Sequence, residues 1–259
     1  MKLIMLGSGT STGVPRIGGE EGEDWGLCDP EEPRNRRSRA SILLESDAGD
    51  RLLVDTSTDM RAQFLANRIH SIDAVFWTHD HADHTHGIDD LRPLRYGRTG
   101  PIPGYAGEET VRRLRQRFGY VFAGQFGYST IVALETLERL RMCIGYGVGW
   151  CDMPHGPARS TGFRFECDGK SIVYATDFSE ITSEMTALFA GCDLLVVDCL
   201  RREPHPTHSH LAMALELIET TGAKRAVLTH LDKSMDYATL SRELPSHVLV
   251  GFDGMQLQV

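Results

Sequence analysis

One short stretch, A-V-F-W-T-H-D-H-A-D-H-T-H-G at Ala74–Gly87, constrains the fold of this chain more than any other. Its first four residues are hydrophobic and predict a short buried strand. The polar residues that follow therefore lie at the C-terminal end of a strand, where α/β folds usually carry their functional groups. Four of these residues have side chains that bind metal ions: His79, His81, Asp83 and His84.

The spacing of these four residues indicates which of them share a metal ion. Side chains alternate in an extended segment, so His79 and His81 point to the same side. Asp83 and His84 come where the strand should turn into a loop or helix, so they can be aimed at a second point close by. Imidazole and carboxylate are ligands that zinc, manganese and iron accept. A polar loop merely rich in histidine is the alternative, but four His and four Asp between positions 79 and 90 argue against it.

Three further candidate ligands, His155, Asp177 and His230, also end strand-like runs. Each of them would be ambiguous alone. Asp55 ends another predicted strand, and we expect it to orient a ligand imidazole through a hydrogen bond.

The segment T-H-D-H-A-D-H resembles the H-x-H-x-D-H signature of the metallo-β-lactamase superfamily. The three later candidates follow in the order that this superfamily uses. The resemblance implies an α/β fold of the αββα type, in which two mixed β-sheets lie face to face and helices cover the outside. It also implies two divalent metal ions per chain, zinc or manganese. The implied ligands are His79, His81 and His155 for one ion, Asp83, His84 and His230 for the other, and Asp177 as a bridge.

The ligand types favour one activity within the superfamily. A histidine at position 81, where the di-iron oxygen-reducing branch has glutamate, argues against that branch. An aspartate at position 177 in place of cysteine argues against the antibiotic-degrading lactamases. Two metals that share a carboxylate and a hydroxide suit hydrolysis of an ester, above all a phosphodiester. Asp83 is predicted to be catalytic as well as a ligand.

A hydrolase also needs a proton donor for its leaving alcohol. His208 is the candidate, with His210 as a second choice, although both would also be ordinary in a surface loop. The segments T-H-S-H-L, T-H-L-D-K and G-F-D-G-M resemble the phosphoribosyl cyclic phosphodiesterases of the carbon–phosphorus lyase pathway. That resemblance implies hydrolysis of a five-membered cyclic phosphate on ribose, His208 as general acid, and a homodimer. Asp253, in G-F-D-G-M, is predicted to contact the substrate or a ligand.

The chain departs from that family where the family binds a structural zinc through a cysteine cluster and a distal histidine. The equivalent loop here reads G-G-E-E-G at positions 18–22, only Cys28 remains, and Lys233 stands in place of the late histidine. We therefore predict two metals per chain and no structural zinc. The six cysteines form no C-x-x-C pair, and several lie in hydrophobic runs, which predicts free buried thiols in a reducing cytosol.

Charge limits the partners of the chain. With 27 Lys+Arg against 36 Asp+Glu the net charge is −9, which argues against a long nucleic acid as partner. A basic segment with four arginines at positions 34–39 is either a solvated charge run or an anion-binding arm, and Arg37 is the substrate candidate within it. The sequence shows neither a signal peptide nor an apolar run long enough for a bilayer, so we predict a cytoplasmic protein without a membrane partner.

The alternation of strands and helices predicts one domain over residues 1–259. Gly18–Ser38 is predicted to be a long ordered loop, and Leu140–Ile144 a strand. Val248–Val250 and Met255–Gln258 are predicted to close the second sheet. Gly119–Thr130, rich in aromatic residues and glycine, is predicted to be a substrate lid, a dimer contact or a packed loop.

The leading hypothesis is a dinuclear phosphodiesterase for a small cyclic or nucleotide-like phosphodiester. RNA 3′-end processing and thioester cleavage are alternatives that the same metal site would support, and the net charge argues against the first. A non-catalytic metal-binding regulatory protein is the alternative from another class. The complete ligand set argues against it.

Overall fold

Two seven-stranded mixed β-sheets lie face to face in this protein, with helices against both outer faces. The structure, a computed structural model, describes residues 1–124, 127 and 129–259. The αββα architecture predicted from the sequence is confirmed.

The strands range in length from two residues to ten residues, and the two longest form a hairpin. In chain order they are β1 Lys2–Gly7, β2 Arg16–Ile17, β3 Glu23–Asp24, β4 Ser41–Glu45, β5 Arg51–Val54, β6 Ala74–Trp77, β7 Ile102–Ala106, β8 Val132–Thr136, β9 Met142–Cys143, β10 Tyr146–His155, β11 Ala158–Cys167, β12 Lys170–Ala175, β13 Leu194–Asp198, β14 Ala226–Thr229, β15 Val248–Val250 and β16 Gln256–Gln258.

The helices are short, and none in the described part of the chain has the length and apolar character that crossing a bilayer requires. They are α1 Met60–Ala66, α2 Ala82–Thr85, α3 Leu91–Arg95, α4 Glu108–Arg117, α5 Gly119–Ala123, α6 Ser183–Phe189, α7 Leu211–Thr221 and α8 Tyr237–Glu243, with 3₁₀ turns at Pro33–Asn35 and Ile88–Asp90.

The strand order explains where a functional site can form. The first sheet has the order β16-β1-β4-β5-β6-β7-β8, and the second has β15-β14-β13-β12-β11-β10-β9. Each sheet has an antiparallel half and a parallel half, the latter being β5 to β8 in the first and β12 to β15 in the second. Parallel strands end at a common edge, so residues that follow different strands of one sheet meet there.

Strand β6, which leads into the histidine-rich stretch, is buried on both faces. Ala74 and Phe76 face the opposite sheet, whereas Val75 and Trp77 face the helices outside. Phe76 packs edge-on against Phe163 of the second sheet, with 5.5 Å between ring centroids. A strand covered on both sides is hydrophobic throughout, which explains the uninterrupted A-V-F-W run.

The last strand joins a different sheet from the one predicted. Val248–Val250 belongs to the second sheet, as expected. Gln256–Gln258 pairs antiparallel with β1 at the edge of the first sheet, so the prediction that Met255–Gln258 closes the second sheet was wrong. A turn at Gly254, with φ of +83°, and a hydrogen bond from its N–H to the carbonyl of Met5 carry the chain across to the first sheet.

Other segments differ from the prediction because they form strand pairs that residue preferences for β-structure do not reveal. The predicted loop Gly18–Ser38 contains β3, which pairs with β2 in a small hairpin. Leu140–Ile144 is a strand only at Met142–Cys143, and Val132–Thr136 was not predicted although it pairs with all five residues of β7.

The described part of the aromatic segment Gly119–Thr130 is packed on the protein. Phe122 meets Trp77 edge-on at 6.4 Å, and the Tyr120 hydroxyl donates to Asp89 at 2.8 Å. Gln125, Phe126 and Tyr128 lie outside the described residues, so the prediction of a lid or dimer contact is not addressed there.

Candidate metal centre

The predicted ligands come from four chain segments of both sheets and meet at one edge of the sandwich. His79 and His81 follow β6, Asp83 and His84 lie in α2, His155 ends β10, Asp177 follows β12 and His230 follows β14.

Three residues of this edge have backbones in the left-handed region. The φ angles of Asp55, Asp177 and His230 are +66°, +58° and +58°. This conformation costs roughly 1–2 kcal/mol for a residue with a Cβ. Such residues cluster at functional sites, where the surrounding structure holds them in place. Here they turn the chain sharply at the ends of β5, β12 and β14.

The ligand atoms of all seven predicted residues are brought together in two groups. Within each group the atoms lie within 4.8 Å of one another. The first group consists of His79, His81, His155 and Asp177, and the second consists of Asp83, His84 and His230.

Asp177 faces both groups with different oxygens. Its Oδ2 is 3.7 Å from Nε2 of His79 and 3.6 Å from Nε2 of His155. Its Oδ1 is 3.4 Å from Nε2 of His84 and 3.6 Å from Nε2 of His230. The carboxylate therefore lies between the groups, in the position of a bridging ligand.

Several buried nitrogens at this point lack the partner that a buried polar atom requires. The Nε2 atoms of His79, His84 and His230 have no hydrogen-bond partner among the described residues. Each such atom costs roughly 1–3 kcal/mol, so three at one point call for an explanation. Imidazoles and carboxylates that converge on two points fit a pair of divalent cations. The residues present thus fit the metals that the superfamily resemblance implies.

Four of the candidate ligands have pKa shifts that favour the protonation state that binds metal. Burial by itself raises the pKa of Asp83 and Asp177, but the surrounding histidines outweigh it and hold both pKa values well below the ordinary range. Burial lowers the pKa of His79 and His155. Ionised carboxylates and neutral imidazoles are the forms that coordinate metal ions.

Two further imidazoles, those of His84 and His230, lie in a field that attracts a cation. Burial lowers the pKa of His84 and His230, but the neighbouring carboxylates Asp83 and Asp177 outweigh it. The pKa of His84 is raised well above its usual value, and that of His230 is raised to about 9. The negative potential that causes these shifts is the potential that a bound cation would experience.

Hydrogen bonds from the opposite ring nitrogens orient two ligands. His84 Nδ1 donates to Asp55 Oδ2 at 2.7 Å, and Asp55 also accepts from the N–H and hydroxyl of Thr78. His155 Nδ1 donates to the carbonyl oxygen of Thr207 at 2.6 Å. Each bond leaves Nε2 directed toward the carboxylates. Such bonds fix ring orientation and raise the basicity of a ligand.

Asp55→Asn is expected to weaken metal binding about 10- to 100-fold, the usual effect of losing such an orienting carboxylate. Asparagine tolerates the left-handed backbone but carries no charge toward His84. Competition with a chelator measures the affinity. Asp59→Asn is the matched control, because Asp59 pairs with Arg39 at 3.0 Å and contacts no ligand. Equal affinity of both variants and wild type would contradict the role of Asp55.

His208 lies beside the ligands. Its Nδ1 is 3.2 Å from Asp198 Oδ2 and 3.7 Å from Asp177 Oδ2, and its ring stacks on His230 with 4.9 Å between centroids. Ligand atoms of Asp177, His208 and His230 also lie within 4.8 Å of one another. His210 directly precedes α7, its carbonyl oxygen accepts a hydrogen bond from the N–H of Ala214, and it belongs to none of these groups.

Asp198 is a site residue that the sequence analysis did not select. It is fully buried at the end of β13, and its Oδ2 is also 3.3 Å from the N–H of Ser209. Its Oδ1 is 3.6 Å from His230 Nδ1. A signal was present, because Asp198 ends a buried hydrophobic strand just as Asp177 follows one.

Arg37, the substrate candidate of the basic segment, lies in the protein interior. Its side chain is buried, with 2% of the residue exposed. The guanidinium donates to Asn35 Oδ1 at 3.2 Å and to the carbonyl oxygens of Asp232 at 3.3 Å and Met235 at 2.7 Å. The other arginines of the basic segment pair with Glu32, Glu23 and Asp59. These contacts hold the segment against the body of the protein.

Asp253 connects two loops. It accepts hydrogen bonds from the N–H and hydroxyl groups of both Ser8 and Ser38, at 2.5–2.9 Å. Burial raises the pKa of Asp253 to about 6, although the four hydrogen bonds act in the opposite direction and lower it. Its carboxylate is thus engaged with protein donors and does not line the metal cavity.

Cys28 contacts Arg37, with 3.8 Å between Sγ and Nη1. All six cysteines are unpaired, and five are buried. Lys233, at the position of the family's late histidine, donates to Asp24. Cys28→Ser is therefore expected to leave metal content unchanged at two equivalents per chain by elemental analysis. Loss of a third equivalent in that variant would show that Cys28 binds a metal after all.

A cavity of about 290 Å³ opens over the ligands. Its walls include His81, Asp83, Asp177, His208, Pro157 and Ala158.

Comparison with known proteins agrees with this geometry. Residues 50–231 match the family model described as a β-lactamase superfamily domain. The crystal structure of a "new diphosphatase from the PhnP family" superposes with a TM-score of 0.88 and 36% sequence identity, covering 99% of this chain and 96% of that chain. Zinc-bound PqqB from Methylobacterium extorquens superposes with a TM-score of 0.79 and 22% identity, covering 100% of both chains.

A relative from Porphyromonas gingivalis, named octanoyltransferase, is 35% identical over 264 residues. The match covers 99% of this chain but 51% of that protein, so this chain spans about half the length of that relative. With the family model matching most of the chain and the PhnP-family structure matching nearly all of it, the chain belongs to the β-lactamase superfamily and has the metallo-β-lactamase fold of its PhnP-family relative.

Proposed function

We infer that this protein is a dinuclear, metal-dependent phosphodiesterase that acts on a small cyclic or nucleotide-like phosphodiester. The observation that carries this proposal is the Asp177 carboxylate, whose two oxygens face imidazoles of both ligand groups at 3.4–3.7 Å. A carboxylate shared in this way supports two cations side by side. Zinc or manganese ions held there would supply Lewis acidity and an activated water for attack at phosphorus.

The residues of the chain would orient the reacting groups around the phosphoryl group. Asp83 lines the cavity and would accept a hydrogen bond from the attacking water. His208 lines the same cavity and would give a proton to the leaving oxygen. The contact between Asp198 and Nδ1 of His208 leaves the other ring nitrogen for the substrate.

The size of the cavity and the charge of the protein support a small substrate. About 290 Å³ is near the lower end of the range for small-molecule sites. The net charge of −9 disfavours a long polyanion. The PhnP-family relative is a diphosphatase by name, which supports phosphoryl chemistry over thioester cleavage.

The test is hydrolysis of bis(p-nitrophenyl) phosphate by protein that has been stripped with a chelator and reloaded with manganese or zinc. We expect nitrophenolate release to require added metal and to reach its plateau near two equivalents per chain. A thioester such as S-lactoylglutathione serves as the comparison substrate. Faster cleavage of the thioester, or no cleavage of the diester by protein with two bound metals, would overturn the proposal.

A further inference from the structure

A second cavity of about 540 Å³ adjoins the metal cavity. Pro157 and Ala158, at the tip of the hairpin between β10 and β11, line both cavities. The hairpin strand β10 ends at His155, a predicted ligand. The second cavity, here called the hairpin groove, is therefore reached directly from the metal site.

The groove is built on the face of the hairpin that points toward the first sheet. On β10, Tyr146 and Val148 belong to the core between the sheets, and Trp150 and Asp152 continue the same face because side chains alternate. On β11, Thr161 lies opposite Asp152, and Arg159 lies opposite Pro154. This face thus leads from the edge of the core toward the metal ligands.

Charged side chains of both signs line the groove. Arg159 lies next to Ala158, at the end near the metal site, and is exposed with no ion-pair partner among the described residues. Asp152 and Glu138 lie toward the other end and are likewise exposed. Arg113, also in the groove, is neutralised by Glu109 at 2.7 Å and Asp80 at 3.5 Å. Two further carboxylates line the groove: Asp80, which lies between His79 and His81 in the chain and pairs with Arg117 at 2.7 Å, and Glu108 at the start of α4. Along the hairpin itself, the groove therefore offers the positive charge of Arg159 near the metal site and the carboxylate of Asp152 farther away.

Trp150 supplies a flat apolar wall at the carboxylate end. Its indole Nε1 donates to the carbonyl oxygen of Leu137 at 3.1 Å, which fixes the ring. The ring is only partly buried, and it lines the groove. A fixed and partly exposed indole is a suitable surface for stacking a planar ring, because every nucleobase has such a face.

We propose that the hairpin groove binds the nucleoside part of a nucleotide-like substrate whose phosphate lies at the metal site. This rests on the proposed phosphodiesterase function and specifies its substrate class. The base stacks on Trp150, its N–H groups donate to Asp152, and Arg159 contacts the phosphate or sugar. Carboxylates accept well from amino-bearing base edges, so a base such as guanine fits better than a ring without N–H donors.

Calorimetric titration of the metal-loaded protein with guanosine 5′-monophosphate and with ribose 5-phosphate tests this directly. Both probes carry the same phosphate, and only the first carries a base. We expect wild type to bind the nucleotide at least about fivefold more tightly, the lower limit for stacking of one base on an aromatic side chain. Trp150→Ala and Asp152→Asn should each reduce that preference without changing the affinity for ribose 5-phosphate. Arg159→Ala should lower the affinity for both probes by the same factor.

Trp25→Ala is the matched control, since Trp25 stacks under Arg36 in a segment away from the groove. It should keep the full preference. Equal affinity of wild type for the two probes would overturn the proposal, as would a preference that survives in both groove variants. Asp152→Asn carries the test if Trp150→Ala does not fold. If only the groove proposal is wrong, the protein cleaves bis(p-nitrophenyl) phosphate but shows no preference for the nucleotide. If the proposed function is wrong, the protein does not cleave that diester but still binds the nucleotide.

Discussion

Asp177→Ala is expected to remove the metal pair and to lower kcat/KM for a phosphodiester by more than about 10³-fold. The reason is its position, because its carboxylate faces imidazoles of both ligand groups. Without the metals, the pKa of the attacking water stays far above neutrality, and attack at phosphorus at neutral pH becomes very slow. Elemental analysis after desalting measures the metals, and circular dichroism checks that the fold remains.

Alanine alone does not separate the loss of charge from a change in the backbone. Asp177 has φ of +58°, where alanine adds strain of roughly 1–2 kcal/mol. Asparagine would tolerate that conformation and keep the acceptor for the Thr176 hydroxyl, so Asp177→Asn tests the charge alone. We expect it to lose the metals as well. Asp193→Asn, which removes a carboxylate paired with Lys224 at 2.8 Å, is the control and should keep both metals. Two metals and normal turnover in Asp177→Asn would refute the bridging role.

The convergence of the candidate ligands was predictable because the signals for it are local. Most of them end or closely follow a hydrophobic strand, and a polar side chain at the end of a buried strand has few places to lie other than the sheet edge. His79 and His81 are also only two residues apart, so the alternation of an extended segment places them together without knowledge of the fold. The parallel halves of the two sheets then bring the remaining strand ends to the same edge.

Asp198 carries the same local signal, but its contact with His208 was not predictable in this way, and neither was the hairpin groove, since both depend on which strands are neighbours. Asp198 reaches His208 only because β13 lies between β12 and β14. In the sequence, Trp150 is one more hydrophobic residue of a strand. Its exposure follows from the position of β10 near the edge of the second sheet.

Local sequence patterns did not show whether a charged side chain is buried or which strand an edge strand pairs with. Arg37 belongs to a charged run that is typical of a surface, yet it is buried and bonded to backbone carbonyls of residues about 200 positions later. Likewise the pattern at Met255–Gln258 predicts a strand correctly but does not contain the identity of its partner, which is β1 of the first sheet.

The expected effect of His208→Ala depends on two features of its surroundings. Nδ1 of His208 is held 3.2 Å from Asp198, so the ring is oriented by a buried carboxylate. The ring also lies over the metal site, close enough to Asp177 that a role as an extra metal ligand has to be tested alongside proton donation. Metal content and rate must therefore be measured on the same samples.

His208→Ala is expected to lower kcat by about 10²–10⁴, the usual contribution of a general acid, while two metals per chain remain bound. The loss should be smaller for a substrate that releases p-nitrophenolate, because this leaving group needs little protonation. The full loss in kcat is expected for a cyclic phosphate on ribose, because its leaving alkoxide is a strong base. A residue that only binds substrate would affect both substrates alike. His210→Ala is the matched control, since His210 directly precedes α7 and belongs to neither ligand group, and it should lower kcat less than His208→Ala does. Equal losses with both substrates, or loss of metal from His208→Ala, would remove His208 from the catalytic residues.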